Sequence, residues 1–128
     1  MSYFKTKNQN LNPKNDLRER SFKFSLSVLG FIRKLPNTRM YWAICDQLLR
    51  AATSIGANII EAKASSSRRD FIRFYEISLK SANETRYWLL LLKEGKLADP
   101  KQLDIMVKEA EELSNMLGSS LLTLKGKR

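Results

Sequence analysis

The chain has 128 residues, with 23 Lys plus Arg against 13 Asp plus Glu, a formal net charge of +10, one cysteine and no histidine. That length suits one domain, able to bury a core without disulfides or metals. The missing histidine removes Ser-His and Cys-His catalysis, the commonest transition-metal ligand and the usual acid-base group of neutral pH.

Residues 1–15, beginning "MSYFKTKNQNLNPK", are polar and basic without a sustained period, and they are expected to form a flexible arm. No segment has the order of a secretory signal. The longest strictly apolar run, Trp88 to Leu92, is too short to cross a bilayer, so a soluble cytoplasmic protein without membrane contact is expected. The first helix is predicted from about Asp16 to Leu35, with Leu17, Phe24, Val28, Phe31 and Leu35 on one stripe and Pro36-Asn37 as its stop. Thr38 then serves as N-cap of a second helix from Arg39 to Ala64. Tyr41, Ile44, Leu48, Ala51, Ile55, Ile59 and Ala62 share one of its faces, and Cys45 reads as a small buried hydrophobe beside them.

Ser67 with Asp70 three positions on opens a third helix, which reaches about Glu94. Pro100 takes the first position of a fourth. Its seam of Leu103, Met106, Ala110, Leu113, Leu117, Leu121 and Leu124 runs at spacings of three and four. No strand pattern occurs. Short connections force neighbouring helices to run oppositely, so the prediction is an all-α, antiparallel up-down-up-down four-helix bundle over residues 16–125, followed by a basic tail at 126–128.

Within "QLLRAATSIGANIIEA" (47–62), Arg50, Ser54, Asn58 and Glu61 recur at helical spacing and line one strip. The third helix offers a matching strip that includes Ile77, Glu84, Tyr87 and Leu91. A carboxylate such as Glu84 is costly to bury unpaired, and Arg50 or Arg86 is its expected partner, within or between subunits. Gly56, amid Ala51, Ala52, Ser54 and Ala57, marks a close helix contact. The run holding Tyr87, Trp88, Leu91 and Leu92 is apolar around the whole circumference, and in a small bundle one side of it faces water. Homo-oligomerisation through these residues is therefore expected. A catalytic pairing of Glu61 with Glu84 lacks a nucleophile, metal cluster or phosphate loop, so a non-enzyme without cofactor or metal is the expectation.

Folding as such a bundle gathers Lys5, Lys7, Lys14, Arg18, Arg20, Lys63, Arg68, Arg69, Lys125, Lys127 and Arg128 at one end, against Asp16, Glu19, Glu61 and Asp70. Arg68 and Arg69 open a helix, where the macrodipole disfavours cations, so phosphate contact is their expected role. RNA or DNA held by its backbone is the expected partner. No helix-turn-helix, zinc-finger, RNP or KH pattern supports base-specific reading. The alternative is a scaffold or adaptor for a protein partner, its charge incidental.

"QLLRAATSIGANIIEA", "RRDFIRFYEISLKSANETRYWLLL" (68–91) and "ELSNMLGSSL" (112–121) resemble the four-helix-bundle proteins encoded in intervening sequences of bacterial 23S rRNA genes. These are similar in turn to the accessory variability determinants of diversity-generating retroelements. The resemblance implies a pentameric barrel, nucleic-acid binding and a reverse transcriptase as partner. It carries no catalytic role. Where the family pattern has a glycine after its Asn-Ile-x-Glu, this chain has Ala62, so the second helix is expected to continue; the basic arm lies outside the shared pattern.

Overall fold

The computed structural model of the protein describes residues 16–126, so the arm expected over residues 1–15 and the tail residues Lys127 and Arg128 lie outside the described residues. Four helices, α1 (Leu17–Ile32), α2 (Arg39–Ala64), α3 (Arg68–Glu94) and α4 (Pro100–Leu124), account for the fold, with no strand among the described residues. None of these helices is long and apolar enough to cross a membrane.

Local chemistry sets where each helix starts. Asp16 Oδ1 accepts from the backbone N–H groups of Arg18 at 3.1 Å and Glu19 at 3.4 Å, which satisfies two of the orphan donors of α1. Ser67 Oγ accepts from the Asp70 N–H at 3.1 Å, the cap that the sequence predicts for α3. At α4, Asp99 Oδ1 accepts from the Lys101 N–H at 3.2 Å while Pro100 fills the first turn, where no donor is needed. Thr38 occupies the N-cap of α2 with extended backbone, but its side chain makes no capping bond.

The helix ends differ from the sequence expectation at one place. α1 stops at Ile32, not Leu35, because Pro36 disfavours helical backbone at the residue before it. The chain leaves through a tightened turn in which the N–H groups of Lys34 and Leu35 reach Phe31 and Ile32. α2 continues to Ala64 as expected, and the Ser65 hydroxyl donates to the Ala62 carbonyl at 2.6 Å. α3 closes with Lys96 at φ 58°, the left-handed position, while the Leu97 N–H returns to the Leu92 carbonyl at 2.9 Å and Lys96 N–H to Lys93 at 3.0 Å. That pair of bonds is a Schellman motif, with lysine where glycine is usual. Gly95 precedes it, and a Cβ there would lie 2.8 Å from the Leu91 carbonyl oxygen.

The core is formed by Phe24, Val28 and Phe31 of α1, Leu48, Ile55 and Ile59 of α2, Leu89 and Leu92 of α3, and the α4 seam from Leu103 to Leu121. Cys45 is buried and free, and its desolvation pushes the thiol pKa up. Two serines of α3 bond across to α2: Ser78 Oγ donates to the Ile55 carbonyl, and Ser81 Oγ to Ser54 Oγ, both at 2.8 Å. Gly56 meets α1 closely. A Cβ built on it would lie 3.0 Å from Ser21 Oγ, so the missing side chain lets α1 approach α2.

Partner numbers on α4 fall as they rise on α3: Glu76 pairs with Lys125, Asn83 with Ser114, Arg86 with Glu111 and Lys93 with Asp104. The Arg68 guanidinium donates to the Leu124 carbonyl, which joins the start of α3 to the end of α4. Tyr75, two turns further along α3, feels the charges of Arg18 and Asp16 at the start of α1. These contacts collect the start of α1, the α2–α3 turn and the end of α4 at one end of the molecule. At the other, the Tyr41 hydroxyl donates to the Leu97 carbonyl at 2.7 Å and ties the start of α2 to the α3–α4 turn.

Candidate nucleic-acid interface

The end that gathers the predicted cations is less free than a count of charges suggests. Arg20 reaches across to α4. Its Nη2 lies 2.6 Å from Glu109 Oε1 and 2.5 Å from Glu112 Oε2, and its Nε donates to Glu109 Oε2 at 3.1 Å. The hydrogen bonding to Glu109 foremost raises the arginine pKa further. Arg20, expected as a phosphate ligand, is a strut between α1 and α4 in this structure. Lys125 lies 2.6 Å from Glu76, and Arg18 Nε 3.6 Å from Asp16.

Arg68 also has a local purpose, contrary to expectation, because it satisfies one of the last carbonyls of α4, where a cation also complements the macrodipole. Lys63 lies over the Phe71 ring, 5.4 Å from its centroid. Arg69 is exposed, and its side chain makes no ion pair or hydrogen bond among the described residues. Lys5, Lys7, Lys14, Lys127 and Arg128 lie outside them. They nonetheless attach at this end, next to Asp16 and Gly126, and supply five of the ten net positive charges.

The residues expected at a subunit interface divide in two. Ser54 and Asn58 are half-buried inside the chain's own α2–α3 contact: Asn58 Nδ2 donates to the Ser54 carbonyl at 2.8 Å and to Ser54 Oγ at 2.9 Å, and Ser81 completes the cluster. Arg50, 76% exposed at its side chain, lies 3.4 Å from Asp46 one turn earlier, and Glu61 is exposed. Glu84 is exposed as well. It accepts from Trp88 Nε1 at 3.1 Å, while Arg86 faces α4 and Glu111 at 3.7 Å. Within one chain Glu84 therefore pairs with neither expected arginine: Arg50 lies against Asp46, and Arg86 lies toward Glu111 with its Nε buried and without a hydrogen-bond partner among the described residues. Leu92 is fully buried and Trp88 half-buried, whereas Tyr87 at 60% and Leu91 at 39% face solvent.

The Arg20 cluster sets a pH dependence. The Arg20 hydrogen bond, followed by its charge, lowers the Glu112 pKa below the ordinary carboxylate range. Glu112 thus ionises more readily in the folded than in the unfolded chain. Its stabilisation is present above the unfolded pKa and is lost as pH falls through the lowered folded value. In parallel thermal melts, Glu112→Gln should sit below wild type at neutral pH and converge with it in strong acid; a constant gap would contradict this.

Grooves between helices mark the surface, two of them away from the Arg20 cluster. One of about 1050 Å³ runs between α3 and α4, lined by Glu76, Ile77, Lys80, Asn115, Gly118 and Leu122. The other, about 310 Å³, lies between α1 and α2 against Phe22, Gly56, Ala57 and Ile60. Among the described residues no group of three or more His, Cys, Asp or Glu is placed to hold a metal ion.

Comparison with known proteins gives this helical frame a family. The family model described as 23S rRNA-intervening sequence protein matches residues 13–119. A crystal structure of a protein of unknown function from the S23 ribosomal protein family, from Bacteroides thetaiotaomicron VPI-5482, is similar with a TM-score of 0.77 and 35% sequence identity. That likeness covers 82% of this chain and 97% of that one. Among curated proteins none matches. With the family model spanning all but the last turn of the four-helix frame, the chain belongs to the 23S rRNA-intervening sequence protein family.

Proposed function

We propose that the protein is a non-catalytic, homo-oligomeric RNA- or DNA-binding protein that holds the phosphate backbone through the end of the molecule carrying Lys63, Arg68, Arg69 and the first and last described residues, Asp16 and Gly126. The observation that supports this most is charge placement. Five bases and no acid flank the described residues, and they join at the end where Arg69 has no ionic partner. The family's description, which refers to 23S rRNA intervening sequences, favours a role in RNA handling. The accessory variability determinants that the chain resembles favour the narrower reading of a pentamer serving a reverse transcriptase.

The exposed Tyr87 and Leu91 support self-association. The antiparallel up-down-up-down arrangement, consistent with the α3–α4 pairings, puts this apolar patch on the side of the bundle and leaves its ends open to ligand. The adaptor reading draws on the internal pairing of Arg18, Arg20 and Lys125, which removes cations from the basic end.

Fluorescence polarisation with two labelled RNAs of unrelated sequence separates these readings. Both RNAs should bind at low salt with similar affinity and weaken together as salt rises, by a log–log slope of about −0.7 per phosphate contacted. Light scattering of the same sample should give a multiple of the chain mass. No binding at low salt would assign the protein to the adaptor class.

A further inference from the structure

The end of the molecule opposite the predicted one carries more unpaired cations among the described residues. Arg33 and Lys34 follow α1, Arg39 begins α2, Lys96 lies in the α3–α4 turn and Lys101 in the first turn of α4. All five are exposed, and none makes an ion pair among the described residues. The Tyr41–Leu97 hydrogen bond holds the two turns together. The acids there are largely committed: Asp104 lies 2.6 Å from Lys93 and Asp99 caps α4, which leaves Glu94. Trp42 stands one turn along α2 from Arg39, on the same side, with 67% of its surface exposed.

Local stability accounts for only part of this. Arg33, Lys34 and Lys96 complement the C-terminal ends of α1 and α3, where cations are favoured. Arg39 and Lys101 occupy the first turns of α2 and α4, where the macrodipole opposes them; α2 has no acid there to compensate, and α4 has only its N-cap Asp99. An indole left two-thirds in water likewise contributes little to the bundle's own core. Cations set against the helix dipole beside an exposed flat aromatic form the combination that holds a single strand, with phosphates on the bases and a nucleobase on the ring.

We infer that this second end is a single-stranded nucleic-acid contact in which Trp42 stacks a base while Arg33, Lys34, Arg39, Lys96 and Lys101 hold the flanking phosphates. It rests on the proposed reading that the ligand is nucleic acid, and it adds where and how a strand is gripped. Each chain then carries a basic contact at either end of its bundle, so a strand too short to span the molecule occupies the ends independently.

The test titrates the full chain with oligouridylate and reads tryptophan fluorescence together with polarisation of a labelled copy. Binding should quench the fluorescence in wild type, and Trp42→Phe should lose most of that quench although Trp88 remains. The variant carrying Arg33→Ala, Arg39→Ala and Lys101→Ala should show a log–log salt slope shallower by about 2, from three phosphate contacts at about 0.7 each. All four substitutions are at exposed positions, and circular dichroism confirms the fold.

Wild-type binding with the quench intact in Trp42→Phe and the slope intact in the triple variant overturns the contact while leaving the nucleic-acid reading standing. No binding by wild type removes both. A Trp42→Phe protein of altered oligomer mass with unchanged quench makes this end a subunit interface. Loss of binding to phosphatidylserine vesicles in the triple variant, with RNA binding unaffected, makes it a membrane contact; either result overturns the inference.

Discussion

Leu113→Ala is expected to destabilise the protein by about 2 to 5 kcal/mol, a loss of the size that fully buried aliphatic side chains give. Leu113 is fully buried at the middle of the α4 seam, and its neighbours one turn away on the same face, Ala110 and Leu117, are fully buried too. The surroundings cannot collapse readily into the space left behind, because the Ser78–Ile55 and Ser81–Ser54 bonds fix α2 against α3 and the Arg20–Glu109 pair fixes α1 against α4. Truncation therefore costs the transfer free energy of the lost methyl groups plus a cavity. Ile105→Ala removes as much apolar volume from the same helix, but Ile105 is 71% exposed and its loss should stay within about 0.5 kcal/mol. Thermal unfolding of the two variants checks the rotation of α4 directly, at roughly 4 °C or more per kcal/mol. Similar shifts for both would mean that α4 presents a different face to the core.

The same helix explains what was legible in the sequence. Its three-and-four apolar spacing is a property of the chain alone, so the seam from Leu103 to Leu121 is buried as the spacing predicts. Ser67 and Pro100 act within four residues of themselves and were readable for the same reason. Pro36 marks the stop after α1 in the sequence, but it also disfavours helix at Leu35, so α1 ends three residues short of the apolar stripe. Pairings between helices were not legible. Arg20 meets Glu109 and Glu112 across 89 and 92 residues of chain, and which residues meet depends on how α1 is rotated against α4, which hydrophobic period does not fix.

Glu84 shows the converse. Placed on a strip with apolar residues, it reads as a buried charge in need of an arginine, yet it lies on the outer side of α3 and uses Trp88, four residues on. The Asp46–Arg50 pair has the same one-turn spacing and could have been found from sequence by testing each arginine against its own helix first. The unpaired cations around Arg39 and Lys101 do not stand out in the sequence, where the lysines of the first fifteen residues dominate the local charge. Their significance depends on which neighbouring acids are already engaged, and only three-dimensional placement reveals that.

The claim that phosphate backbone is held by the charge at one end of this bundle makes a second large prediction, which is also its most direct test. Replacing Lys5, Lys7, Lys14, Lys127 and Arg128 together by glutamine removes half of the net charge and leaves every described helix untouched. If all five contact phosphate on a single strand, the log–log salt slope becomes shallower by about 3.5, and the affinity lost between about 50 and about 200 mM salt shrinks by about a hundredfold. Polarisation titrations of one labelled RNA against wild type and this variant, at four or more salt concentrations, measure both quantities. The account predicts a steep line for wild type and a markedly flatter one for the variant, with weaker binding at low salt. Two parallel lines of equal affinity would contradict it.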